Sequence, residues 1–241
     1  MWEHFPRIEL PLTIEQFHRL PRNAAYKYEY IDGRAVLSAR PKTFSCVRET
    51  EPFEPVDAYP VELLPVADIA GLELQFLAAC RRTQPFESLG DDALACTRDC
   101  LRRVASGGDG PVVEPACFRA LDPDHADGPV GAALVTLAHE DILTKPFAGE
   151  WKDAPCDAVA RHMGCPHLTW IFVNPSLARR GVATALLAAV LRALQGMGYR
   201  LLASTFALDN GPSAMWHWRN GFRLLPHTSA FMREARNRRT S

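Results

Sequence analysis

The chain has 241 residues, 47% of them apolar and 23% charged, with a formal net charge of -1. That length suits one full domain with a smaller appendage, and with acidic and basic residues nearly balanced nothing points to the basic face that binding to a nucleic-acid backbone generally uses. No apolar run is long enough to span a bilayer, and the opening Met1-Trp-Glu-His-Phe-Pro6 lacks the basic and apolar regions of a secretory signal, so a cytoplasmic protein with no membrane or nucleic-acid partner is expected. Seven cysteines, at scattered positions, are expected to be reduced and mostly buried. Neither Cys96 with Cys100 nor the loose group Cys156, His162, Cys165 and His167 has a zinc-ligand spacing, so no metal is expected.

In chain order, residues 1–58 are rich in aromatics and prolines and read as an N-terminal extension. Within it, Tyr26 to Leu37 is a β-hairpin signal, with Asp32-Gly33 at the turn between segments carrying Tyr, Ile, Val and Leu. Val61–Val66 reads as a strand and Asp68–Cys80 as a helix. A second helix follows the acidic start Asp91-Asp92, carries the stripe Leu94, Cys96, Leu101 and Val104, and stops at Gly107-Gly-Asp-Gly110. Val112–Leu121 and Val130–Ala138 are short apolar runs on either side of a turn-rich stretch, consistent with an antiparallel pair. Residues 139–166 read as an insertion with a short helix around Ala158 to Met163. A strand His167–Val173, a long helix from about Gly181, a strand Arg200–Phe206, a short helix near Ser213 and a final strand from Phe222 complete the chain.

The stretch Val173 to Leu187 joins an apolar strand through a proline turn to a helix that opens with small residues. The first N–H groups of such a helix have no intrahelical partner and the dipole favours negative charge, so a pyrophosphate can bind there through the backbone. Gly181 and Ala183 keep that backbone approachable, Thr184 offers a hydroxyl, and Arg179 and Arg180 can pair with phosphates. Val182, Leu186, Leu187, Val190, Leu191 and Leu194, at three- and four-residue spacing, seat the helix on the sheet. Taken alone, a Gly-x-Ala turn is better read as an ordinary strand-to-helix connection of an α/β protein.

Two motifs together resemble the GNAT superfamily of N-acetyltransferases. The family's R/Q-x-x-G-x-G/A after a V-x-P strand end is matched by Val173, Pro175, Gly181 and Ala183, followed by Thr184-Ala-Leu-Leu187. Its leading Arg or Gln falls on Ala178, which leaves that contact missing or supplied by Arg179 or Arg180. Downstream, the family's N-x-x-A-x-x-x-Y-x-x-x-G-F is matched at identical spacing by Asn210, Ser213, His217, Gly221 and Phe222, with His217 in place of the tyrosine. The resemblance covers about residues 167–225.

It implies an α/β (α+β) fold with a mixed, mostly antiparallel central sheet flanked by helices, occupying residues 59–241 with the insertion at about 139–166. It also implies an acyl-coenzyme A-dependent N-acyltransferase that moves an acetyl group from acetyl-CoA to a primary amine by direct transfer. The cofactor-binding residues would be Phe172, Val173, Ala178, Arg179, Arg180, Gly181, Val182, Ala183, Thr184 and Asn210, with a backbone N–H near Phe172 to Val173 facing the thioester carbonyl and a splayed strand pair admitting the pantetheine arm. His217 is the candidate acid for the departing thiolate. The general base stays open among His167, Glu140 and Glu114. The acceptor would be a small-molecule amine or a protein amino group, which the acidic residues Glu140, Asp141, Glu150, Asp153 and Asp157 of the insertion would attract unless they form only a solvated loop. The changes at Ala178 and His217 leave an alternative, a catalytically degenerate acyl-CoA sensor or interaction module, and the N-terminal hairpin is a candidate docking or homodimer element.

Overall fold

A computed structural model describes residues 7–21, 26–39, 43–81, 90, 92–124, 128–143, 151, 153–207 and 210–225. Their strands form two sheets. In the smaller one, β2 (Tyr26–Ile31) and β3 (Arg34–Ala39) make the expected hairpin. Asp32 and Gly33 turn it with φ of 48° and 77°, two positive values that match the twist of the flanking strands. β1 (Arg7–Leu10) pairs antiparallel with the other edge of β3. The short helix α1 (Ile14–Arg19) starts at a capping box of Thr13 and Gln16 and sets Phe17 5.5 Å from Tyr30.

The larger sheet holds seven strands: β4 (Thr43–Glu49), β5 (Glu62–Pro65), β6 (Phe118–Leu121), β7 (Gly131–Ala138), β8 (Cys165–Val173), β9 (Leu201–Ala207) and β10 (Arg223–Leu224). Their order is β10-β4-β9-β8-β7-β6-β5, and every neighbouring pair is antiparallel except β8 with β9. The mixed, mostly antiparallel sheet is therefore as the sequence implied. The boundary at residue 58 is not, because Thr43–Glu49 lies within the supposed extension and yet pairs along its whole length with β9, from Thr43↔Ala207 to Glu49↔Leu201. Ser45, Cys46 and Val47 are successive buried residues, so the strand lacks the inside-outside alternation by which half-buried strands are recognised.

Three other expectations are corrected. Of Val112–Leu121 only the last four residues are strand, since Pro115 sits in a 3-10 turn over Glu114–Ala116 and leaves Val112 a single bridge to Thr136. Ala158 to Met163 forms isolated turns rather than a helix, broken where His162 takes φ 54°. The final strand has two residues. Glu150 lies outside the described residues.

Helices cover both sides of the large sheet. α2 (Glu73–Cys80) sets Phe76 edge-on to Trp170 at 4.7 Å and Phe172 at 5.1 Å, and α3 (Ala93–Ala105) is tied to it by the Arg98–Glu73 ion pair at 2.8 Å. α4 (Val182–Gly196) and α5 (Gly211–Arg219) follow the motif strands. α4 is buried over more than one face: Ala185 to Leu191 are seven consecutive buried residues. The sheet covers one side, and the connection from β4 to β5 lies along another. That connection crosses from one edge region of the sheet to the other, pairing Glu54 with Arg192 at 3.0 Å and donating the Tyr59 N–H to the Arg180 carbonyl at 2.7 Å. We call it the strap. Among the described residues no helix is long and apolar enough to cross a membrane, and no group of His, Cys, Asp or Glu is placed to hold a metal. All seven cysteines are free thiols, and Cys46, Cys96, Cys100, Cys117 and Cys165 are buried.

Candidate active site

The parallel strands β8 and β9 part company where β8 bulges. Leu134 pairs with Trp170 but Val135 pairs with Leu168, so Thr169 is an extra residue on β8. Pairing with β9 is confined to His167↔Ala203 and Leu168↔Ser204, and past that point the two strands open. The Asn174 N–H reaches across to the Val130 carbonyl at 2.7 Å. Because amides alternate sides along an antiparallel ladder, Phe172 also points its N–H at β7, while Ile171 and Val173 direct theirs into the opening. Of the two residues the sequence implied, Val173 thus turns its amide to the opening, whereas the Phe172 amide belongs to the ladder and its side chain is buried against Phe76.

Side chains brace the crotch from both faces. On one face His167 lies 3.2 Å from the Thr169 hydroxyl through Nδ1 and 3.1 Å from the Thr205 hydroxyl through Nε2. Thr169 Oγ1 is also 2.8 Å from Thr136 Oγ1, which donates to the Asp109 carbonyl at 3.0 Å. Neighbouring residues of a strand face opposite ways, so Ser204 points to the other face, where its hydroxyl is 2.9 Å from His217 Nε2.

His217 sits only 3% exposed, stacked on Phe206 at 4.8 Å between the indole of Trp216 and the ring of Phe222, each 4.9 Å away. Its Nδ1 is 2.8 Å from the Ser213 carbonyl, an atom that only accepts, so Nδ1 carries the proton and Nε2 accepts the Ser204 O–H. Burial lowers its pKa to about 4 against the opposing pull of that carbonyl. The expected acid is therefore a neutral imidazole with an acceptor, not a proton, at Nε2. Burial, and then the nearby His217, lower His167 to about 4 as well.

Both folded-state values lie below the ordinary histidine value, so the unfolded chain binds more protons between pH 6.5 and about 4. Stability is then complete above pH 6.5 and falls as the pH drops through this window, at up to about 1.4 kcal/mol per pH unit for each histidine. Urea denaturation between pH 7 and 5 should show that slope, and His217→Phe should remove about one proton's share of it. An unchanged slope in the variant would mean that His217 is not buried in its neutral form.

Of the three candidate bases, only His167 lies at the crotch. Glu140 follows the far end of β7, where Ala138 pairs with Cys165, and Glu114 is exposed on the side of β7 away from β9. In the insertion, Asp157 is within 3.8 Å of Arg161, Asp141 within 3.8 Å of His139, and Asp153 is exposed.

Beside the opening, Asn174 caps a 3-10 turn over Pro175–Leu177 by accepting the Ser176 N–H, and Leu177 is buried beneath it. Ala178 is exposed and extended, Arg179 takes the left-handed φ of 63°, and Gly181 takes 82° as the N-cap of α4. No side chain caps α4, and its first intrahelical bond runs from the Ala185 N–H to the Gly181 carbonyl at 2.9 Å. The amides of Val182, Ala183 and Thr184 are left as orphan donors of the helix start. A Cβ on Gly181 would stand 2.8 Å from the Ala58 Cα, so the strap as well as the backbone angle requires glycine there.

Arg179 and Arg180 differ sharply. The Arg180 guanidinium lies 4.1 Å over the Tyr59 ring, and the Tyr59 hydroxyl donates to Asp122 Oδ2 at 3.2 Å. Burial and then that hydrogen bond raise the phenol's pKa. Asn210 Oδ1 accepts the Ser213 N–H at 3.1 Å and caps α5. Sequence reasoning missed Thr136, Thr169, Ser204 and Thr205 as the bracing groups and Tyr59 as the partner of Arg180.

A cleft between parting parallel strands, with orphan helix amides at its side, is suited to an extended ligand that has an anionic end. Residues 117–222 match the model of the acetyltransferase (GNAT) family, which marks this segment as a GNAT acetyltransferase domain. Similar solved structures include a functionally unknown conserved protein from Staphylococcus epidermidis, with 14% identity and a TM-score of 0.47 over 76% of this chain and 57% of that one. A GCN5-related N-acetyltransferase from Sphaerobacter thermophilus gives 15% and 0.47 over 77% and 49%, so the chain spans about half the length of these two proteins. The PaiA N-acetyltransferase from Thermoplasma acidophilum, solved in complex with coenzyme A, gives 10% and 0.44 over 68% and 91%. No curated protein matches the sequence.

Proposed function

We propose that the protein is an acetyl-CoA-dependent N-acetyltransferase that moves the acetyl group directly to a primary amine of a small molecule or a protein. The observation that carries this reading is the opening of β8 from β9 after Leu168↔Ser204, with the Val173 amide on its lip and the orphan amides of α4 beside it. The amides of residues 182–184 would hold the donor's diphosphate, and the gap between the strands would take its pantetheine arm. The N–H groups of Ile171 and Val173 would donate to the thioester oxygen as charge develops there. The amine nitrogen bonds to the acetyl carbon, the carbon–sulfur bond breaks, and the thiolate takes up a proton equivalent to the one the nitrogen sheds, leaving an amide and a free thiol.

On this reading His217 pins α5 to β9 through Ser204 and does not supply that proton. A second reading, an acyl-CoA binder without turnover, is favoured by the tyrosine position of the family, which here holds an imidazole whose one proton is engaged by the Ser213 carbonyl. Calorimetric titration with acetyl-CoA, followed by a free-thiol assay against polyamines, amino acids and aminoglycosides, separates them. Binding with acceptor-dependent thiol release is expected. Binding without release from any acceptor favours the binder, and absence of binding overturns both.

A further inference from the structure

The strap lies against the turn that opens α4 at three points. Ala58 fills the space in front of Gly181, the Tyr59 amide holds the Arg180 carbonyl, and the Tyr59 ring lies under the Arg180 guanidinium. The Tyr59 hydroxyl then fixes the ring to Asp122, immediately after β6. We propose that Tyr59 is a positioning residue for the donor's diphosphate, acting through Arg180, whose guanidinium it holds beside the orphan amides of α4. This rests on the reading that those amides take the diphosphate.

The physical case is one of preorganisation. A solvent-exposed arginine loses several rotamers when it pairs with a phosphate, and that loss offsets much of the attraction. Stacking on an aromatic face restricts the guanidinium before the ligand arrives while leaving its N–H edge to donate. The ring in turn is held by a hydrogen bond to a buried carboxylate, since Asp122 is 3% exposed. Arg179, exposed and with no aromatic partner among the described contacts, has no such support. The strap thus takes up the position left by Ala178, where the family's arginine or glutamine is absent: the cation comes from Arg180 and its orientation from Tyr59.

The test is a set of coenzyme A titrations by calorimetry on the full chain and its variants. Tyr59→Leu is expected to weaken coenzyme A binding about tenfold, and Tyr59→Phe, which keeps the ring but loses its tether to Asp122, to fall between Tyr59→Leu and the parent. The backbone bond from residue 59 to Arg180 survives in both. Arg180→Leu, at an exposed side chain that the fold does not need, should weaken binding by as much or more, and adding Tyr59→Leu to it should weaken binding no further. Equal losses from Tyr59→Leu with and without Arg180 would show a merely structural tyrosine and overturn the proposal, as would unaltered affinity in Tyr59→Leu. If the parent protein itself fails to bind coenzyme A, the underlying functional reading falls and the proposal with it.

Discussion

A chain lacking residues 1–58 is expected not to fold, whereas one lacking only residues 1–39 is expected to keep the large sheet and its affinity for coenzyme A. The difference lies in β4. Its seven residues cover the outer edge of β9, and β10 attaches to it rather than to β9, with Arg223 opposite Val47. Thr50 extends the seam, donating its hydroxyl to the Tyr199 carbonyl at 2.6 Å and its N–H to the Arg200 carbonyl at 3.0 Å. Removing the strand would bare an edge of β9, expose the surface that buries Cys46 and Val47, and take the strap off α4. The net stability of a domain, about 5–15 kcal/mol, does not survive the loss of a whole inner strand. The smaller sheet differs, for among the described residues none of its strands is hydrogen-bonded to the larger one. Circular dichroism, gel filtration and coenzyme A titration of the two truncations are the measurement. A folded, ligand-binding chain without residues 1–58 would sink the argument.

The reasons β4 was hidden while the motif elements were legible are physical. The hairpin at Asp32-Gly33 and the start of α4 at Gly181 rest on local backbone preferences, and the stripe of α4 on a 3.6-residue period, so short windows of sequence contain the information. β4 is buried on both faces at its centre, and its partner is more than 150 residues away in sequence, so no short window distinguishes it. At Asn210 the capping role also had a signal, since an asparagine two residues before Pro212 is a helix start, and its Oδ1 caps α5. For His217 the spacing drew attention to the residue, but its proton is fixed by the Ser213 carbonyl, Ser204 and three aromatic rings, which only the assembled fold brings together. Tyr59 carried no signal, because the stacking that gives it meaning joins residues on two separate loops.

Gly181→Ala is expected to cost about 2–5 kcal/mol of stability and to weaken coenzyme A binding at least a hundredfold. Two causes add. A non-glycine residue at φ 82° is strained by about 1–2 kcal/mol. The new methyl would also stand 2.8 Å from the Ala58 Cα, a backbone atom that can retreat only if the strap moves, and overpacking of this kind costs about 1–3 kcal/mol. Gly198, at the other end of the same helix, separates the two. It has φ 88°, but a Cβ there meets nothing closer than His162 Nδ1 at 3.9 Å, so Gly198→Ala should show the backbone cost alone, about 1–2 kcal/mol, with coenzyme A affinity unchanged. Adding Ala58→Gly to Gly181→Ala removes the second contact, the Ala58 Cβ at 3.1 Å, but leaves the Cα, and should restore stability only in part. Urea denaturation ranks the four proteins. If Gly181→Ala proved no less stable than Gly198→Ala while still losing coenzyme A, glycine would be needed there only for the ligand's approach and the strap would have no part in holding the turn. The opposite ranking would show that the turn opening α4 is held in place by the strap between β4 and β5.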